Sequence, residues 1–168
     1  MPRRSAAGGG AEEKSIQIFS AHPYGSPDLS RLKQLAHRLL DAEGWCFDFD
    51  IIVADDHELR RLNRLFLGRG ETTDVMAFPA GEDQSDRGEV YVNLDQARVQ
   101  ALEAGEPVQQ SLERLLIHGI LHLGGWRDDT DAERERMLRY GERYLSPEVT
   151  GGSRSAPSLK RGKKRSTK

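Results

Sequence analysis

Apolar residues along this chain follow two rhythms, and the switches between them mark out the elements. In "SIQIF" and "CFDFDIIVA" they alternate or run together as strands require, the second turning fully apolar towards Ala54. Between these, "SPDLSRLKQLAHRLLDAEG" sets Leu32, Leu35, Ala36, Leu39 and Leu40 at helical spacing and stops at Gly44. "DDHELRRLNRLFLG" starts from Asp55, with Glu58 three positions later, and carries Leu59, Leu62, Leu65 and Phe66 on one helical face. "TDVMAF" and "GEVYVN" read as strands around the loop "PAGEDQSDR", and Asn93 with Gln96 signals a helix running to about Ala104. Pro107 precedes a long helix, "VQQSLERLLIHGILHLGG", and a last helix covers about 131–145, ahead of Pro147. Strands alternate with helices early and helices gather late. The pattern predicts an α/β (α+β) domain: a small mixed sheet of about four strands packed with about five helices.

A chain of 168 residues suits one such domain with tails. The division expected is a disordered tail over 1–13, a domain over 14–149 and a second disordered tail over 150–168. Net charge sharpens it. The overall −2 conceals seven basic residues and no acidic one from Arg154 to Lys168, which leaves −9 on residues 1–153. A basic tail on an acidic body reads either as an arm that seeks nucleic acid or as a solvated end. With Cys46 the sole cysteine, no internal disulfide can form, and any metal site must draw on imidazoles and carboxylates. Neither an export signal nor a membrane-spanning run stands out, so a cytoplasmic protein is expected.

The candidate chemistry lies in "HGILHLGGWRDDT". On the preceding helix Leu112, Leu116, Ile120 and Leu123 form the core-facing stripe. His118 and His122 sit one turn apart and about 100° from its centre. Spacing of i, i+4 aims both imidazoles at one place, as a helix does when it offers two nitrogens to a metal. The alternative is a surface or hydrogen-bonded histidine pair. Gly124 and Gly125 let the chain double back, which allows Asp128 to approach the same point. Asp128 could instead cap the next helix, but Thr130 and Glu133 form a capping box of their own and leave it available. A set of His118, His122 and Asp128 favours zinc with one open position, the catalytic arrangement.

"HGILHLGGWRDD" resembles the signature of the YbeY family of bacterial rRNA maturation factors, HGxLHLxGYDH. "LNRLFLGRGETTDVMAFP" resembles that family's LNxxYRxxDxPTDVLSFP and "GEVYVN" its GDIxIS strand, so the likeness covers roughly residues 16 to 145 in order. The resemblance implies a helix-covered mixed sheet with a metal site in a cleft. It also implies a single-strand-specific, metal-dependent endoribonuclease acting in small-subunit rRNA 3′-end maturation and ribosome quality control. The expected partners are single-stranded RNA or rRNA and the small ribosomal subunit with its assembly factors, with no membrane and no DNA. His118 would then be catalytic as well as a ligand. The third family ligand, usually His, falls on Asp128 and the family Asp before it on Arg127. A carboxylate there neutralises one of the metal's two charges and should acidify bound water less. The family arginine falls on Leu67, which makes Arg69 the substitute cation, and the family Ser before Phe-Pro is Ala77.

Other residues carry two readings each. Asp74 could orient a ligand histidine or stabilise its turn; Glu89 could do the same or stand as an exposed strand carboxylate. Arg114 could meet a phosphate or be a plain surface arginine, and Trp126 could stack on a base or lie half-buried in the core. His22, His37 and His57 read as surface or hydrogen-bonded residues, and Cys46 as a small core residue. Two rival functions remain: a zinc protease, disfavoured because Gly119 stands where its general-base Glu is needed, and a ribosome-assembly factor with a metal but little nuclease activity.

Overall fold

The computed structural model describes residues 14–81 and 87–145. The tail assignments for 1–13 and 150–168, and part of the loop between the third and fourth strands, lie outside these residues. The elements run β1 (Ile16–Ser20), α1 (Leu29–Glu43), β2 (Phe49–Ala54), α2 (Asp56–Leu67), β3 (Val75–Phe78), β4 (Gly88–Asn93), α3 (Leu94–Ala104), α4 (Val108–Leu123) and α5 (Asp131–Gly141), then a 3-10 turn at Glu142–Tyr144. The expected mixed four-stranded sheet with five helices is present. Its order is β1-β2-β4-β3, with β1, β2 and β4 parallel and β3 antiparallel to β4 along one edge.

Alternation along the strands sorts the side chains onto two faces. Ile16, Phe49, Ile51, Val53, Val90 and Val92 point to one face, where α1 and α4 complete the main core. Met76, Phe78 and Tyr91 point to the other, which α2 meets with Leu59 and Leu62 in a smaller cluster. Helix starts follow the sequence signals. Asp28, Asp55 and Asn93 each accept the backbone N–H three residues on, and Thr130 with Glu133 closes the capping box.

Three differences have physical causes. β2 begins at Phe49 rather than Cys46, which is only half-buried beside Trp45 and Phe47 instead of in the core. The last helix is α-helical only to Gly141 and tightens into the 3-10 turn. There a Cβ on Gly141 would lie 2.9 Å from Ile117, so α5 packs close against α4. The third concerns α4, predicted to bury one stripe. From Ser111 to Leu121 every residue except Arg114 is buried, because the sheet, α1, α3 and α5 all pack on it. The histidine helix is therefore the centre of the molecule.

Candidate functional site

Close packing fixes α4 over the sheet. A Cβ on Gly119 would lie 2.4 Å from Val90 Cγ1 and 2.9 Å from Val75 Cγ2, closer than real Cβ atoms approach. Only glycine lets the helix come this near to β3 and β4. The next contact falls at the helix end. A Cβ on Gly124 would strike the Trp45 indole at 1.9 Å, and Gly125, with φ of 98°, supplies the left-handed residue that turns the chain back. The expected doubling back thus occurs, with the two glycines dividing the work.

The turn brings Asp128 to His122, with His122 Nε2 3.5 Å from Asp128 Oδ2. On the other side of the ring, Nδ1 lies 3.1 Å from the Trp126 carbonyl. A carbonyl only accepts, so Nδ1 carries the proton and, in the neutral ring, Nε2 presents a lone pair to a carboxylate oxygen. Nε2 and the carboxylate face each other across a gap that either an Nε2 proton or a metal cation would bridge. A metal-ligating histidine ordinarily shows this pattern, one ring nitrogen anchored to a carbonyl and the other free to ligate.

His118 is the second unusual group. It is 7 % exposed, and its Nε2 is buried with no hydrogen-bond partner among the described residues. Burial pushes its pKa down to about 4 against the opposing pull of the Asp74 carboxylate, so the ring is neutral at pH 7 with a nitrogen available. Among the described residues, no three His, Cys, Asp or Glu side chains form a ready-made metal cluster. Two of the three expected donors meet; the third waits nearby on the same helix with an orphaned nitrogen. A buried unsatisfied imidazole is costly unless something binds it. The chemistry of the set, two imidazoles with one carboxylate, suits a divalent ion such as zinc.

The surrounding residues resolve the open readings. Asp74 accepts a hydrogen bond from Gln100 Nε2 at 3.1 Å, and its carbonyl accepts from Asn93 N, so it holds the turn into β3 while its charge reaches His118. Glu89 points to the sheet face away from α4 and accepts from the Tyr91 hydroxyl, which removes it from the histidines. Arg114 is gripped by Glu106 and Glu142 and has no fork left for a phosphate. Trp126 stacks on Tyr140 at 4.5 Å and flanks the core. His22 is hydrogen-bonded to Asp95, while His37 is half-buried and His57 exposed. Leu67, the last residue of α2, and Arg69, just beyond it, are both exposed, and the Arg69 guanidinium has no partner among the described residues.

Sequence reasoning missed two supports. Buried Asn63 donates to the Glu71 carbonyl, and its own carbonyl accepts from Arg69 N, so one asparagine ties down the loop that carries Arg69. Its place on the apolar side of α2, beside Leu59 and Leu62, was the available signal. The other is Glu43, which accepts from the Tyr140 and Tyr144 hydroxyls and so anchors the ring beneath Trp126. Nothing in the sequence links residues so far apart.

A family model described as Endoribonuclease YbeY matches residues 25–147. The chain is 35% identical to the Endoribonuclease YbeY of Chlorobium phaeovibrioides, over 78% of this chain and 88% of that protein. It is 36% identical to that of Solibacter usitatus, over 67% of this chain and 74% of the relative. The solution structure of TM1509 from Thermotoga maritima superposes with a TM-score of 0.57 at 28% identity, covering 87% of this chain and 99% of that one.

Proposed function

This chain belongs to the Endoribonuclease YbeY family, and from that premise we propose a zinc-dependent, single-strand-specific endoribonuclease that matures the 3′ end of small-subunit rRNA and acts in ribosome quality control. An endoribonuclease role with RNA as substrate follows from the membership. The finer reading rests on the site, and one observation supports it most: His122 Nε2 and the Asp128 carboxylate face each other 3.5 Å apart, and buried His118, one turn earlier on α4, has an Nε2 with no hydrogen-bond partner among the described residues. These three side chains would hold the ion at a cleft beside β3. When bound, a divalent metal supplies Lewis-acid stabilisation of phosphoryl oxygen charge or lowers the pKa of a water nucleophile.

The chain's own residues prepare that chemistry. The core around His118 keeps its ring neutral and able to donate a lone pair. The Trp126 carbonyl fixes the tautomer and orientation of His122. Asp128 lowers the site's net charge. Arg69, exposed between two glycines, is the cation we assign to the phosphate, since Leu67 occupies the place where the sequence resemblance puts an arginine. Peptide hydrolysis has no place here. The protease general base would have to stand at Gly119, where even a methyl group collides with Val90.

No helix among the described residues is long and apolar enough to cross a membrane. Cytoplasmic action with the small ribosomal subunit and its assembly factors is part of the proposal. Metal-loaded protein incubated with single-stranded RNA and with casein tests it. RNA cleavage that His118→Ala abolishes is the expected result. Cleavage of casein would favour a protease, and silence on both would favour an assembly factor without nuclease activity.

A further inference from the structure

The face of the sheet turned away from α4 carries a line of aromatic rings that the metal site does not use. Phe66, at the end of α2, is 59 % exposed and lies 5.0 Å from Phe78 on β3; Phe78 in turn meets Tyr91 on β4 edge-on at 5.8 Å. Exposed aromatic surface in contact with further rings is costly to leave in water unless something covers it. α2 half-covers Phe78 and Tyr91 through its Leu59 and Leu62 cluster, and Phe66 is the ring left mostly in water.

The setting says what could cover it. Arg61 lies near Tyr91 but is paired with both carboxylate oxygens of Glu58, whereas Arg64 and Arg69 flank Phe66 in sequence, exposed and without carboxylate partners among the described residues. On an otherwise acidic body, rings flanked by unneutralised guanidinium groups complement a polyanion that carries flat bases. Its position relative to the histidines agrees. Val75, at the start of β3, packs beside Gly119, and at the other end a Cβ on Gly88 would touch both the Phe78 carbonyl and Leu123. The stretch of α4 from His118 to Leu123 therefore runs along β3, with the histidine helix on one face of that edge strand and Phe78 on the other. A strand of RNA crossing the free edge of β3 would reach both.

We propose that Phe66, Phe78 and Tyr91 form a base-stacking platform that holds unpaired nucleotides next to the cleavage site, with Arg64 and Arg69 on their phosphates. The platform deepens the RNA-cleaving reading and rests on it. Stacking explains single-strand preference directly, because paired bases have no free face to offer.

The test is binding of the full chain to fluorescein-labelled oligoadenylate, followed by anisotropy in EDTA so that no cleavage intrudes. Phe66→Ala should weaken binding at least about fivefold, Phe66→Trp should bind as tightly as wild type, and Phe66→Leu should resemble the alanine variant, since it keeps apolar area but has no π face. Binding to the duplex form should not respond. Equal affinity for wild type and Phe66→Ala overturns the platform while leaving the nuclease reading intact. Full binding by Phe66→Leu also overturns it and marks the patch as an apolar protein-docking surface. If Phe66→Ala does not fold, the Leu and Trp variants still decide. Wild-type protein that neither binds nor cleaves RNA would instead overturn the parent reading.

Discussion

At the scale of single residues, the proposed chemistry turns on atoms left without partners among the described residues. His118 Nε2 is one, and the Arg69 guanidinium is another. Because Arg69 is exposed and its loop is held through Asn63 and backbone bonds, Arg69→Ala should fold normally. It should lower the RNA cleavage rate about tenfold or more with metal content unchanged, and Leu67→Arg should recover part of the loss; cleavage assays beside metal analysis read both. Asp56 gives a pH prediction. Burial raises its pKa, but hydrogen bonds from Arg60, Thr72, Asn93 and Gln96 outweigh this and bring it down to about 2, below the usual 3.8. A lowered carboxylate pKa stabilises the fold above the unfolded value and loses that contribution as pH falls through the folded one. Wild type should therefore lose on the order of 1–2 kcal/mol between pH 4 and pH 2 that Asp56→Asn does not, seen in urea titrations across that range. This network was illegible beforehand, because Asp56, Thr72 and Asn93 come from three separated segments and meet only in the folded chain.

At the scale of elements, the glycines on and after α4 set the spacing of the site. Gly119→Ala must push Val90 or Val75 aside, and Gly124→Ala must displace Trp45. Each should destabilise by about 1–3 kcal/mol in chemical denaturation, the range for overpacked cores. Wild-type stability in either would mean that α4 does not approach the sheet so closely. The elements themselves were readable, since period and caps are local: Asp55, Asn93 and Thr130 cap the helices their spacing announced. What periodicity could not show was that α4 is covered on nearly every side. Burial of a whole helix depends on what packs around it, and its sequence displays only the strongest stripe.

At the scale of the whole molecule, the site is a place where rigid parts converge: α4 pressed on the sheet, the turn at Gly125, and α5 locked through Tyr140 to Glu43 on α1. The approach of Asp128 to His122 was legible in H-x3-H-x2-G-x2-D because a helix end and a tight turn fix where those two side chains point. The aromatic face was not, because Phe66, Phe78 and Tyr91 belong to different elements. Charge divides the chain as well, and removal of residues 150–168 takes away seven basic groups from an acidic protein. RNA affinity should fall and its dependence on salt should become shallower, by up to about seven phosphate contacts; an unchanged slope would mean the segment touches no phosphate.

The central claim is that His118, His122 and Asp128 hold one divalent ion, and the direct measurement is the metal content of protein purified without added metal. Wild type should carry about one zinc per chain, Asp128→His should retain it, and His118→Ala/His122→Ala should be nearly empty. Full occupancy in that double variant would contradict the account.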